Sequence, residues 1–518
     1  MPYQRPISPD TVDRVAGAIA PIRDTDDCRR PSNTGYAADA SDPRDPPPLC
    51  RAPYPEPRMT LSGWRAALVL ALAALVASCA PATQPDVAER RVSFIGPLPP
   101  MKSFRAAQAA PTMRTNRQLA ADFLELSFEM ESGRRLDQLT RFEGPVRVAV
   151  RGEGPPSLER DLDALLARLR SEARIDIRRA GPGDEANLVV EVLSRRELQR
   201  LVPQAACFVV PRVASWEEFK RQRRSGAVDW ATLRTRTQAA VFLPGDVSPQ
   251  ESRDCLHEEI AQALGPLNDL YRLPDSVFND DNFHTVLTGF DMLMLRITYD
   301  RSLQSGMTQG EVASRLPGIL SRLNPNGQRG GGQLSGGTPR AWTDAIETAL
   351  GPRARPSVRL TSAKNAVRIA DAAGWQDTRR AFSLYALGRL ALGQEPELAL
   401  AAFLDSAAIY RARPDTRIQA AHVNMQLAAF SLSAGQYEAT LRLVDESLPA
   451  VSRAENAALL ATLLLLKAEA LEGLNRPREA RAVRQDALGW ARYGFGSDNV
   501  VRARASEIAS LAPPARES

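Results

Sequence analysis

The chain reads as an α+β domain, a mixed sheet with helices on it, followed by an all-α array of helical repeats. Three observations predict this. Between residues 116 and 264, short β-branched runs bounded by Gly and Pro alternate with stretches whose apolar residues recur every three or four positions. A Gly-rich linker, NPNGQRGGGQLSGGT at 324–338, then breaks the pattern. From 339 to 513 the chain is alanine-rich, helical in period and self-similar at a fixed offset.

With 518 residues the chain exceeds what one core accommodates, so two or three domains are expected. A 44% hydrophobic and 25% charged composition excludes a wholly disordered, fibrous or polytopic membrane chain. The formal net charge of +5 is spread thinly, and no basic cluster carries interleaved aromatics, so no nucleic-acid partner is expected. Lysine occurs only at Lys102, Lys220, Lys364 and Lys467, and histidine only at His257, His284 and His422. That scarcity of imidazole constrains any zinc chemistry from the outset.

Residues 1–58 are rich in Pro, Asp and Arg and lack apolar periodicity, so they are expected to be disordered. A fresh start follows at Met59: Arg65 precedes the uncharged run AALVLALAALVAS, which predicts a secretory signal over 59–78. Val76-Ala77-Ser78-Cys79 resembles a bacterial lipobox, which implies cleavage before Cys79 and acylation of its thiol, with Met59 as the true start. Ala80 after the cysteine implies, by the same resemblance, the outer membrane and a protein facing the periplasm. The Pro/Ala-rich stretch 79–111 is then a tether between lipid and folded protein.

Order is expected from 112 to 323. Leu119, Phe123, Leu126 and Met130 mark a helix that Gly133 ends. Strands are predicted at 145–151, 175–179, 187–193, 207–211 and 238–244, and helices at 157–171 and 249–264.

Candidate chemistry lies in the last of these helices. A zinc peptidase helix places two imidazoles one turn apart, with a Glu after the first to act on the metal-bound water. Read from His257, the second ligand falls on Ala261, and that frame fails. Shifted by one, Glu258-Glu259-Ile-Ala-Gln262-Ala-Leu-Gly265-Pro-Leu-Asn268 resembles the metzincin pattern. By that resemblance Glu259 is a vestigial general base, while Glu258, Gln262 and Asn268 occupy the three metal-ligand positions. Ser276-Val-Phe-Asn279 resembles the matrixin-type Met-turn, with Phe278 in place of the methionine. The segment from Leu287 through Asp291 to Tyr299 resembles the closing helix of that family, which makes the N-terminal domain zincin-like. Glu131-Ser-Gly-Arg, Arg141-FEGPVRV, Phe278-Asn-Asp-Asp and Tyr299-DRSLQSGM further resemble the uncharacterised bacterial lipoprotein family numbered as domain of unknown function 2927, over roughly 115–310.

Amide oxygens are poor zinc ligands, and Glu259 alone cannot activate a water whose pKa stays near 15.7. No catalytic residue, metal or other cofactor is therefore expected. A site rebuilt from His257 and His284 with Glu258 or Asp291 is the alternative. Cys207 and Cys255 suggest one disulfide in an oxidising compartment, with two separate buried thiols as the other possibility.

In the tail, Leu387-Gly388, Leu427-Ala428 and Lys467-Ala468 stand 40 residues apart, with small residues at matching places in each unit. This resembles tetratricopeptide helix pairs, and SAGQYEAT at 433–440 is the nearest match to that family's turn. Plain helical hairpins are the alternative. Stacked pairs bind rather than catalyse. The expectation is thus an outer-membrane-anchored periplasmic lipoprotein, an adaptor that binds a protein partner through 339–513. A metalloprotease with an unorthodox metal site and a structural envelope assembly factor are the rival functions.

Overall fold

Six consecutive buried residues, Ala239–Pro244, form an inner strand of the sheet in the N-terminal half, and their parity builds two cores at once. The computed structural model describes residues 97–104, 110–328 and 336–513; the expected signal and Cys79 lie outside them. In order come α1 (Asn116–Phe128), β1 (Val146–Arg151), α2 (Leu158–Ser171), β2 (Ile177–Arg179), β3 (Leu188–Leu193) and α3 (Arg195–Leu201). Then follow β4 (Phe208–Pro211), α4 (Trp216–Gln222), β5 (Ala239–Pro244), α5 (Pro249–Leu264), α6 (Gly289–Thr298) and α7 (Gln309–Leu323).

The sheet order is β2-β1-β3-β5-β4. All neighbours are parallel except β4, which runs antiparallel to β5 at the edge. Helix cover on both faces explains the unbroken apolar run of β5, since a parallel sheet buries both sides. Ala239, Val241 and Leu243 join the larger core beneath α1, α2, α5, α6 and α7. Ala240 and Phe242 point the other way, into a smaller core with Leu198, Trp216 and Phe219 from α3 and α4. Neither α3 nor α4 is foreseen from periodicity, because seven residues complete barely two turns. Helix α7 is likewise unforeseen, although Thr308 and Glu311 form a capping box at its start.

Cys207, just before β4, is bonded to Cys255 of α5 with 5.9 Å between Cα atoms and 48 residues of separation. Replacing both by serine should lower stability by about 4 kcal/mol on the chain-entropy account of such a loop. A thermal melt of oxidised wild type beside the double variant checks this, and coincident curves would exclude the effect.

The C-terminal half contains α8 (Arg340–Leu350), α9 (Pro356–Ala372), α10 (Thr378–Ala391), α11 (Pro396–Arg411), α12 (Arg417–Ser433), α13 (Tyr437–Arg453), α14 (Ala457–Gly473), α15 (Pro477–Phe495) and α16 (Asp498–Ala509). Leu387, Leu427 and Lys467 occupy equivalent places on α10, α12 and α14, the first helix of three successive pairs. Small residues permit the close approach. A Cβ on Gly388 would meet the Phe403 ring of α11 at 2.7 Å. Among the described residues, no helix is long and apolar enough to cross a membrane.

Two features differ from a tethered pair of independent domains. Residues 97–104, expected within the tether, lie on α15: the Lys102 amide donates to the Gly489 carbonyl, and Phe104 stacks on Trp490 at 4.5 Å. The helical core also includes Tyr271 and Phe283 from the N-terminal half. The Phe283 ring sits among Phe382, Tyr385, Tyr410 and His422, at centroid distances from 4.8 to 6.1 Å. The two halves share one compact unit because a loop of the first fills the helical array of the second.

Candidate functional site

Helix α5 is fixed at both ends before any of its functional side chains is considered. Ser248 caps its start by accepting from the Glu251 amide, with Pro249 preset for the first turn. Its first half is gripped by the turn between α13 and α14. Gln250 donates to Asn456 at 3.2 Å and accepts from the Ala458 amide at 2.9 Å, while Arg253 donates to the Glu455 carboxylate and carbonyl. Glu455 holds a left-handed backbone, φ 53°, unusual for a residue with a side chain.

At the other end, buried Arg236 donates to the carbonyls of Gln262 (2.6 Å), Ala263 (2.7 Å) and Gly265 (2.6 Å). These are the carbonyls a helix leaves without internal donors, and a cation there also opposes the helix dipole. Burial pulls the Arg236 pKa down to about 10, which leaves it charged at neutral pH. Gly265 then turns the chain where a Cβ would press on Thr298 at 3.1 Å.

This frame places the side chains singled out by the sequence. Glu258, half-buried, and Gln262, buried, are one turn apart on α5, with Glu259 beside them, only 4% exposed. Asn268 turns away to donate to the Glu125 carbonyl of α1 at 3.2 Å. Asp269, next after Asn268, and Glu131, the first residue of the Glu131-Ser-Gly-Arg motif beyond α1, are neighbours of this pair. Asp280 joins from the loop that carries Phe283.

The electrostatics are those of carboxyls that repel one another. Burial, then Asp280 and Glu131, pushes Glu258 up to about 8. Burial, then Glu258 and Glu131, holds Glu259 well above the carboxylate range. Asp269 is raised likewise by burial and by Asp280, Glu131 and Glu258. Asp280 has one side open to solvent and protein crowded round the rest; lost hydration, then Glu131 and Glu347, pushes it up to about 6. The Glu259 Oε2 and Asp269 Oδ1 atoms are buried and have no hydrogen-bond partner.

All three histidines serve elsewhere. His257 Nδ1 accepts from the Leu287 amide at 3.1 Å, and His284 Nε2 is bonded to the Pro274 carbonyl at 2.9 Å. His422 lies against Phe283. Burial lowers the pKa of each, that of His422 to about 3. Asp291, wholly buried, accepts from Ser276, Val277 and Thr288 and so ties the 276–278 turn to α6. His257 and Asp291 are thus structural, and neither is brought to Glu258.

The donor set does not fit zinc. Gln262 offers an amide, Asn268 is committed to α1, and no imidazole faces the cluster. Among the described residues, no group of three or more His, Cys, Asp or Glu side chains is arranged to hold a metal ion.

These shifts make stability depend on pH from both sides. A carboxyl with a raised folded pKa stabilises the fold while protonated, fully so below its unfolded value of 3.8 for Asp280 and 4.5 for Glu258, and that contribution is lost as pH rises through about 6 and about 8 respectively. The neutral histidines contribute above 6.5 and lose their contribution as pH falls towards 3. The melting temperature should therefore peak at about pH 6, and Glu258→Gln should flatten the alkaline limb. A wild-type melting temperature unchanged between about pH 6 and pH 9 would contradict this.

Residues 116–318 match a protein family described only as "Protein of unknown function (DUF2927)". No curated protein and no solved structure matches the chain.

Proposed function

We propose that this chain is a non-catalytic adaptor: an outer-membrane-anchored periplasmic lipoprotein whose zincin-like domain has no metal site and whose tetratricopeptide-like array serves a protein partner. The observation that carries the reading is the use made of the three metzincin ligand positions. Glu258 belongs to a carboxyl cluster, Gln262 offers an amide, and the Asn268 amide is tied to the Glu125 carbonyl. Glu259, whose carboxyl burial and the neighbouring Glu258 and Glu131 raise well above the ordinary range, stands beside a ligand set that does not suit a Lewis acid, and a carboxyl alone does not activate a water. The apolar run ending at Cys79 supports the lipid anchor, and stacked helix pairs with a 40-residue period support the binding role.

Protein purified after exposure to zinc should carry no stoichiometric metal and should leave a denatured protein substrate uncut. Elemental analysis beside a cleavage assay checks both. About one zinc per chain, with cleavage abolished by Glu259→Gln, would replace the adaptor with a metalloprotease. Intact-mass spectrometry of membrane-extracted protein tests the anchor: a mature chain that does not begin at an acylated Cys79 would remove it.

A further inference from the structure

The carboxyl cluster lacks the partners that nearby acids possess. Asp122, Glu125 and Asp275, close by on α1 and the loop after α5, are matched by Arg114 and Arg272. Glu131, Glu258, Glu259, Asp269 and Asp280 instead act chiefly on one another, in a chain with 66 basic residues. Their exposure is graded. Glu131 and Asp280 are exposed, Glu258 and Asp269 half-buried, and Glu259 buried.

Collecting unpaired carboxyls in this way is costly unless something positive enters. A second observation points to what that is. Glu259 Oε2, in a residue 4% exposed, and Asp269 Oδ1 are buried and have no hydrogen-bond partner within the chain. The carboxyls are not arranged around a single point, as a metal ion needs. A planar guanidinium, with five N–H donors in a fixed fork, can engage carboxylates on different segments at once.

We propose that Glu131, Glu258, Glu259, Asp269 and Asp280 form a receptor for an arginine side chain of a partner protein, with Glu259 and Asp269 as the inner acceptors and Glu131 and Asp280 at the rim. The proposal rests on the non-catalytic reading and supplies its partner's chemistry. It also assigns recognition to the sheet domain beside the helical array, whose own core already holds Phe283 and Tyr271. Tyr271, whose ring meets Trp342 of α8 at 5.1 Å, and Glu347 of α8, which acts on Asp280, place the helical half at the edge of the receptor.

The test uses the full mature chain and two peptides identical except for one residue, arginine or its neutral near-isostere citrulline, titrated calorimetrically at pH 7.5. The arginine peptide should bind at least about tenfold more tightly, the difference that one charge-assisted contact supplies. Glu258→Gln, and separately the surface change Asp280→Asn, should each reduce that preference by about five- to tenfold. The rim variant guards against a folding defect in the buried one. Equal affinity for the two peptides, no binding of either, or an unchanged preference in both variants would overturn the receptor. Saturable binding of calcium or manganese that excludes the arginine peptide would overturn it in favour of a metal site. Cleavage of the peptides would refute the adaptor reading, whereas the arginine-to-citrulline ratio would still report on the receptor.

Discussion

Phe283→Ala should turn one cooperative melting transition into two. The ring is buried within the helical array, 5.8 Å from Phe382, 5.4 Å from Tyr385, 6.1 Å from Tyr410 and 4.8 Å from His422. Truncating a buried aromatic costs about 3–5 kcal/mol, through lost contacts and the cavity left behind. Here the loss falls on the contact that joins the two halves, so the sheet domain should melt separately from the repeats. The loop backbone should also loosen, because the Phe283 amide is held by Asp281, and Asp281 in turn by Asn279. Calorimetry reads the transitions, and limited proteolysis between 271 and 285 reads the loop. A single transition displaced by under about 1 kcal/mol would show that the ring does not couple the halves.

Arg236→Met is the second large effect. Methionine keeps most of the length and the apolar stem but removes every donor, leaving the carbonyls of Gln262, Ala263 and Gly265 buried without that partner. An orphaned buried acceptor costs about 1–3 kcal/mol, and partial relaxation of three suggests a total of about 3–5 kcal/mol. Loss should concentrate where α5 ends. Hydrogen exchange should quicken at residues 261–265, while the first half of α5, held by Ser248 and the Glu455 turn, stays protected. Arg236→Lys should restore only part, since one ammonium cannot span three carbonyls as a fork does. Uniform protection along α5 in the methionine variant would refute this role.

The elements that were legible in the sequence are those whose signal is local. β5 announced itself as an apolar run ending in Pro244, α5 as Ser-Pro followed by periodicity and a terminal Gly, and the repeats by their 40-residue offset. Helices α3 and α4 escaped because seven residues complete barely two turns, too few for a period to show. The candidate site was half legible. Glu258 and Glu259 stood out through spacing on one helix, but Glu131 and Asp280 lie far away in sequence and meet them only after α1 and the Phe283 loop are packed. Asp269 falls outside the metzincin pattern, which lands on its neighbour Asn268, whose amide is spent on α1. The same distance hid the occupation of the helical array by Tyr271 and Phe283. No periodicity encodes a contact between residues 283 and 422.

The clasp between α5 and the α13–α14 turn also sets an order of events in time. Arg253 meets Glu455 across 202 residues, Gln250 meets Asn456 across 206, and Tyr493 donates to Asp161 across 332. Closing such long loops is slow compared with zipping a helix hairpin, so the repeats should collapse first and the sheet domain should mature against them. While the polypeptide emerges N-terminus first, Arg253 must wait for a partner 202 residues on, and Tyr271 and Phe283 wait, exposed, for the helices that carry Trp342, Phe382 and His422. Truncated chains that stop short of Glu455 would carry that sticky surface permanently, and aggregation rather than a smaller soluble domain is their expected fate.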